Sequence, residues 1–582
     1  MTDPTLPQHD PDAAGRAAGL DTARSEYEYD YSYQGLCFTA ELPERERFDR
    51  PYLEQGAKAS LALKANDAIT GLTRRAGEVS AGVEAIASGV RSGELGHPVR
   101  EVMTELRSHG DTARVEDMAE YDGMFRALRE PAAKPIWSED WAFAWQRIAG
   151  SVPTLIRRLD DPLDHLGVTD AHVAAALGDG VTLDAARREG RLFVCDYRRF
   201  DGIPGGRFPP KDPDGVPKHV QAPIALFYAS AGEGLRPVAI QCGQTPDAPI
   251  HTPADGLRWR LAKTVVQVAD ANLEGIVVHF GYTHMIIQRF VIAARRQLSA
   301  RHPLLALLAP HFRYTLAAND YSREDLVMPD GTQERVLAPA LEATLAVLRE
   351  SIREVELDDL DPILAAARAG VDDADVLPVH PFRDDQRTVY EATRRWVDAY
   401  LSLYYPSDAD VAADLELRAF IDEVGSPDGG RLRRLVSAGA PTTRAGLIDL
   451  VARVIHRAAT YHAAINYNWY DWMAYVPNLP AAASIRMPGP DEPVDESTLL
   501  AMMPPRSLGF EQLAQVWSVD SIHVEMLGEY PQGFADPRVA PRLERFRAEL
   551  RAAEATIDER NTERRLAYTC LKPSRVTASI HS

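Results

Sequence analysis

The chain is poor in cysteine: four in 582 residues, Cys37, Cys195, Cys242 and Cys570, with no pair at CxxC spacing. Neither a disulfide framework nor a thiolate metal site fits that pattern. Positive charge is also short, with 64 Lys and Arg against 85 Asp and Glu and a formal net charge of −21. That balance argues against nucleic acid or an anionic membrane surface as the main partner, and at most peripheral membrane contact is expected. No uninterrupted apolar run approaches the ~18 residues that span a bilayer. Residues 1–19, MTDPTLPQHDPDAAGRAAG, have neither a basic start nor an apolar stretch, so no secretory signal is read there. The expectation is a monomer in the cytoplasm. No repeat with a solenoid period is found either.

What is present is apolar sequence in helical register. Hydrophobic residues make up 45% of the chain, ample for a large core. Residues 1–45 are rich in Pro, Asp, Gly and Ala, then in Tyr and Glu (SEYEYDYSYQ), and read as a flexible N-terminal tail that docks through its tyrosines. From Pro51 to about Arg129, stretches such as KASLALKANDAITGLTRRAGEVSAGVEAIA carry helical periodicity. WSEDWAFAWQRIAGSVPTLIRRL (137–159) predicts an aromatic-rich helix with Ser138 as its cap, then a Pro-broken turn. Residues 191–242 hold short apolar runs between Gly and Pro, hence a small β region. After Thr252 helices dominate. Length alone would suggest two domains, but no linker divides residues 46–582, so the expectation is one large, mainly α domain.

Two helices carry candidate ligands. Leu273–His302, LEGIVVHFGYTHMIIQRFVIAARRQLSARH, reads as a buried helix with His279 and His284 five apart. In an α-helix that spacing turns about 140°, and the imidazoles diverge. A π-type turn would bring them to one face, and such turns gather at functional sites. With 16 histidines in the chain, about 0.4 pairs at any one spacing arise by chance, so the pair alone decides nothing. The second helix is Leu447–Met473, where His462 and Asn466 lie four apart on one face within an apolar run. A hydrogen-bonded buried pair explains them as well as a metal does. His456, beside Arg457, reads as a rim position.

Several blocks together resemble the catalytic domain of lipoxygenases, the non-haem iron dioxygenases of polyunsaturated fatty acids. They are WSEDWAFAWQRIAGSVPTLIRRL (137–159), TPADGLRWRLAK (252–263), HFGYTH (279–284), HPLLALLAPHFRYTL (302–316), WVDAYLSLYYPSD (396–408), YHAAINYNWYDW (461–472), MPPRS (503–507) and the terminal SRVTASIHS. The resemblance covers about residues 120–582 and implies a large helical domain, here spanning 46–582, without the N-terminal β-sandwich of many eukaryotic members. It implies one iron held by His279, His284, His462, Asn466 and the main-chain carboxylate of Ser582. Imidazoles with oxygen donors suit iron, with manganese as an alternative. The implied reaction is hydrogen abstraction by Fe(III)–OH from a cis,cis-1,4-diene, then O2 addition to give a hydroperoxide. Linoleate, arachidonate or a similar acid is the implied substrate. Alternatives are a manganese or hydroperoxide-converting homologue, or an inactive fatty-acid-binding one.

The sequence departs from the family pattern at several places. The chain ends in Ser582 where the family usually has isoleucine, losing an apolar anchor worth about 1.5–3 kcal/mol if fully buried. Gly281 replaces a leucine and is expected to enlarge the pocket. Gln288 replaces a glutamate, and Glu274 a supporting histidine. Gly275 and Trp469 stand where many members place two hydrogen-bonded glutamines, so the indole is expected to fill the space beside Gly275. Counting from His284 puts the residue that sets product chirality at Ser322, nearer in size to the alanine of S-type enzymes.

Overall fold

A 41-residue helix, Leu257–Gln297, runs through the centre, and 94% of its most apolar window is buried by the rest of the chain. It is long and apolar enough to cross a membrane, but that apolarity is spent on the protein's own core. The computed structural model describes residues 3–70, 100, 103–104, 112–230, 232 and 234–582. Chain entry into the helix is fixed by the Thr252–Asp255 capping box and by Gly256 at φ 58°, where a side chain would be strained. Between Glu274 and Met285 the helix widens into π geometry, then returns to α geometry through Gln297. The turn expected from the histidine spacing is therefore present.

Polar side chains lock this helix to its neighbours. Tyr197 donates to Asp270 at 2.7 Å, and Arg147 bridges Asp270 at 3.1 Å. The Asn272 amide donates to the carbonyl of Ala481 and accepts the N–H of Ala338, so three segments share one register. A second helix is built from Arg444–His456, a π turn at Arg457–Tyr461 and His462–Met473. It extends beyond the expected helix and contains a π turn that the sequence reading missed.

The expected β region is a five-stranded antiparallel sheet of β1 (Arg157–Arg158), β2 (Leu192–Asp196), β3 (Ile224–Ser230), β4 (Gly234–Gln241) and β5 (Ile250–His251), in that order. Alternation divides its faces. Phe193, Cys195, Ala225 and Phe227 point into the main core, while Leu192, Val194, Ile224 and Leu226 form a separate small cluster. The aromatic helix near Trp137 begins at Asp140 with Glu139, not Ser138, at its cap. The expected helical pattern over 71–99 lies outside the described residues, whereas Arg50–Thr70 is helical.

The N-terminal segment corrects an expectation. Instead of a flexible tail, residues 3–45 lie packed on the body, with a helix at Ala13–Glu26. Arg16 grips Glu416 through two hydrogen bonds and Asp10 through a third. Tyr31 and Tyr33 donate to the carbonyls of Gly429 and Val327, each at 2.6 Å. Leu6, Tyr27, Leu36, Cys37 and Phe38 are buried. Composition counted the Pro and Asp residues but not this apolar set, whose burial offsets the ordering entropy.

Candidate metal centre

The π turn places His279 and His284 with ring centres 4.8 Å apart, and His462 lies 5.4 and 5.5 Å from them. One ligand nitrogen from each falls within 4.8 Å of the other two. The Nε2 atoms of His279 and His284 are 3.3 Å apart. Burial pushes the His284 pKa down to about 4, and those of His279 and His462 well below the usual histidine value. All three are thus neutral near pH 7 and offer lone pairs.

The tautomer of His284 follows from its surroundings. The Asn319 amide nitrogen donates to Gln288 Oε1 and to the His284 carbonyl. Its oxygen must therefore accept, and His284 Nδ1–H donates to it at 2.7 Å. Gln288 is held in turn by the carbonyl of Cys37 at 2.5 Å. The lone pair of His284 is left on Nε2, facing the other rings. Neither ring nitrogen of His462 has a hydrogen-bond partner. Buried polar groups are normally satisfied, so lone pairs converging on one buried point fit a cation between them.

Oxygen donors complete the set. Asn466 Nδ2 donates to the carbonyl of Val519 at 2.8 Å, which turns Oδ1 toward the centre, where it accepts the Ser582 hydroxyl at 3.1 Å. The Ser582 backbone faces His284 and His462 without a hydrogen bond of normal geometry to either ring. The terminal segment is anchored rather than frayed. The Tyr52 hydroxyl donates to the His581 carbonyl at 2.6 Å, His311 Nδ1 donates to that of Ala578 at 2.7 Å, and Ile580 and His581 are fully buried. A serine hydroxyl bonded to Asn466 thus stands in place of the apolar anchor whose loss the sequence indicated.

Beside these donors is a small cavity of about 40 Å³, whose lining includes His279, His284, Ser322, Leu337, Trp469 and Ser582. Ser322 is in this wall, its hydroxyl turned back to the Ala318 carbonyl. The indole of Trp469 lies against Gly275, with Cζ2 3.8 Å from where a Cβ would stand. Gly281 is not in the wall, contrary to the sequence reading. A Cβ there would meet Leu348 at 3.1 Å and Ile352 at 3.8 Å, so the glycine admits the helix Leu341–Glu354 instead of widening the pocket.

The profile of the lipoxygenase family matches residues 101–572. The chain belongs to the lipoxygenase family. It is 35% identical over 481 residues to a Linoleate 9/13-lipoxygenase of Pseudomonas aeruginosa, covering 79% of this chain and 69% of that protein. To the human Polyunsaturated fatty acid lipoxygenase ALOX15B it is 32% identical over 490 residues, 80% of this chain and 71% of the relative. The fold matches that of a lipoxygenase crystallised anaerobically with arachidonate at a TM-score of 0.86 and 23% identity, covering all of this chain and 84% of the other. Sequence reasoning missed three parts of this lipoxygenase's site. Asn319 lies three residues before Ser322 in a stretch already singled out, and was passed over because its partner is 35 residues away. Gln288 was noted only as a departure, and Tyr52 lies outside the matched region.

Proposed function

We propose that the chain is a non-haem iron dioxygenase that inserts O2 into the cis,cis-1,4-diene of a polyunsaturated fatty acid, releasing a fatty acid hydroperoxide. The observation that carries this reading is the meeting of His279, His284, His462, Asn466 and the terminal Ser582 at one buried point beside an apolar wall, in a lipoxygenase chain. The relatives named for linoleate and polyunsaturated fatty acids, and the arachidonate complex, support the substrate class. Neutral imidazoles with an amide oxygen and a carboxylate suit a single iron ion and leave room for a further ligand. When bound, such an iron supplies the one-electron oxidation that removes a hydrogen atom from the bis-allylic methylene.

The chain's own residues do the remaining work. Asn319 and Gln288 hold His284 with its proton on the outer nitrogen, and the Val519 carbonyl fixes the orientation of Asn466. Leu337, Val519 and Trp469 exclude water and offer apolar contact to an acyl chain. At about 40 Å³ the space is smaller than an acyl chain, so side chains of this wall move when substrate enters. Ser322 stands where it can limit the face of the diene that O2 reaches. The test is conjugated-diene formation from linoleate and arachidonate by iron-loaded protein, with products identified by mass spectrometry. Hydroperoxides formed only in the presence of O2 are expected. Consumption of added hydroperoxides without diene formation would replace this reading with the hydroperoxide-converting one.

A further inference from the structure

A second cavity, of about 460 Å³, opens on the other side of the metal-bearing helices. Its inner wall includes Tyr282, within the π turn between His279 and His284, together with His456 and the residues Arg457 and Tyr461 of the π turn Arg457–Tyr461 that leads into His462. The sequence suggested that His456 and Arg457 sit at an exposed rim. They are instead 1% and 3% exposed. The remaining wall is mostly apolar, with Ile156, Ala366 and Phe382 among its members.

The charges of this wall do not balance. Its two carboxylates are engaged, Glu354 by Arg199 and Asp359 by Arg368. Arg383 is held by Asp384 and by the carbonyls of Val371 and Leu377. Arg457 has no carboxylate within ion-pair distance among the described residues. It donates to the Asp359 carbonyl at 2.6 Å, stacks 3.9 Å over the Tyr461 ring, and leaves Nε without an acceptor. His380 Nδ1 accepts the N–H of Arg383, so its proton sits on Nε2, which is likewise without an acceptor. The ring of His456 faces the Leu360 carbonyl, yet neither nitrogen makes a bond of normal geometry. At the mouth stands the exposed Arg157. A guanidinium stays charged even when buried, and a buried cation without a counter-ion is costly. The wall thus presents donors without acceptors, Arg457 among them, with apolar surface beside them.

We infer that this cavity is a binding site for an anionic amphiphile, a long-chain carboxylate whose head pairs with Arg457 and whose tail lies along Ile156, Ala366 and Phe382. A carboxylate matches the planar guanidinium fork, and the volume falls in the range of small-molecule sites. The site is separate from the metal pocket and does not depend on the dioxygenase reading, because its test reads binding without turnover.

The experiment is calorimetric titration of the full-length protein with dodecanoate, and with dodecanol, which keeps the tail and lacks the charge. It is run on wild type, on Arg457→Gln, and on Ser322→Phe, which blocks the metal pocket. Dodecanoate binding that survives in Ser322→Phe, weakens at least ~10-fold in Arg457→Gln and exceeds that of dodecanol is expected. Because Arg457→Gln could disturb folding, wild-type crystals soaked in 2-bromododecanoate give an independent reading. A bromine anomalous peak beside Arg457 is expected. Bromine only beside His279 and His284, binding lost in Ser322→Phe but kept in Arg457→Gln, equal binding of dodecanol, or no binding would each overturn the proposal.

Discussion

The two cavities lined by the helices that carry His279, His284 and His462 differ by an order of magnitude in volume, and the smaller one adjoins the histidine cluster. On one side about 40 Å³ of mostly apolar space is lined by the neutral imidazoles of His279 and His284 and by Ser582, with His462 and Asn466 grouped behind them. On the other, about 460 Å³ adjoins guanidinium and imidazole donors with no shared centre. Cavity size therefore says little about where a reaction occurs. What separates the two sides is the sign of what is unsatisfied: lone pairs facing one another call for a cation, and donors without acceptors call for an anion. The same pair of helices serves both. The turn Glu274–Met285 presents His279 and His284 to one side and Tyr282 to the other, and the turn Arg457–Tyr461 lines the larger cavity before the helix continues into His462.

Acid should act on both sides at once and have the largest effect. Burial lowers the pKa of His284 to about 4 and of His380 and His456 to about 3, with His279 and His462 well below the ordinary value of 6.5. Between pH 6.5 and about 4 the unfolded chain binds protons on these residues and the native chain does not. Native stability therefore falls as pH falls, by about 1.4 kcal/mol per pH unit for each such residue. Urea unfolding of metal-free protein at pH 7 and pH 5 checks this; equal midpoints would contradict the neutral, buried assignment.

Asn319→Ala comes next and separates the sides. It removes the acceptor from His284 Nδ1–H and should weaken metal retention by ~10–100-fold in chelator competition. Unchanged retention would mean that the π turn alone orients the ring. Gly281→Leu should cost about 1–3 kcal/mol by overpacking against Leu348, seen as a lower thermal midpoint with the product pattern unaltered. A changed product pattern would restore Gly281 to the pocket wall. The smallest effect is expected from Tyr52→Phe, which removes one hydrogen bond to the His581 carbonyl, worth about 1 kcal/mol. Chelator competition reads it as a modestly faster loss of metal.

Much of the site could be read from the chain because helical period is local information. An i, i+5 histidine pair demands a π turn to share a face, and the turn is there at Glu274–Met285. The same local period put His462 and Asn466 on one face, but their reading as ligands came from the resemblance to lipoxygenases. What escaped depends on long-range contact. Asn319 reaches back 35 residues to His284, and Tyr52 reaches forward 529 to His581. Arg457 was misread by type: an arginine beside a histidine suggests a rim, but stacking on Tyr461 lets it lie buried. The N-terminal segment escaped because the Arg16–Glu416 pair that docks it spans 400 residues.

We propose that the main-chain carboxylate of Ser582 is itself a metal donor, held in place by the buried segment before it. The direct measurement is iron content per chain, by elemental analysis, for the wild type and for a variant with one glycine appended after Ser582, both loaded under the same conditions and checked for equal thermal stability. The account predicts about one iron per wild-type chain and a large loss in the extended variant, because its carboxylate can no longer reach His284 and His462. Full iron occupancy in the extended variant would contradict it.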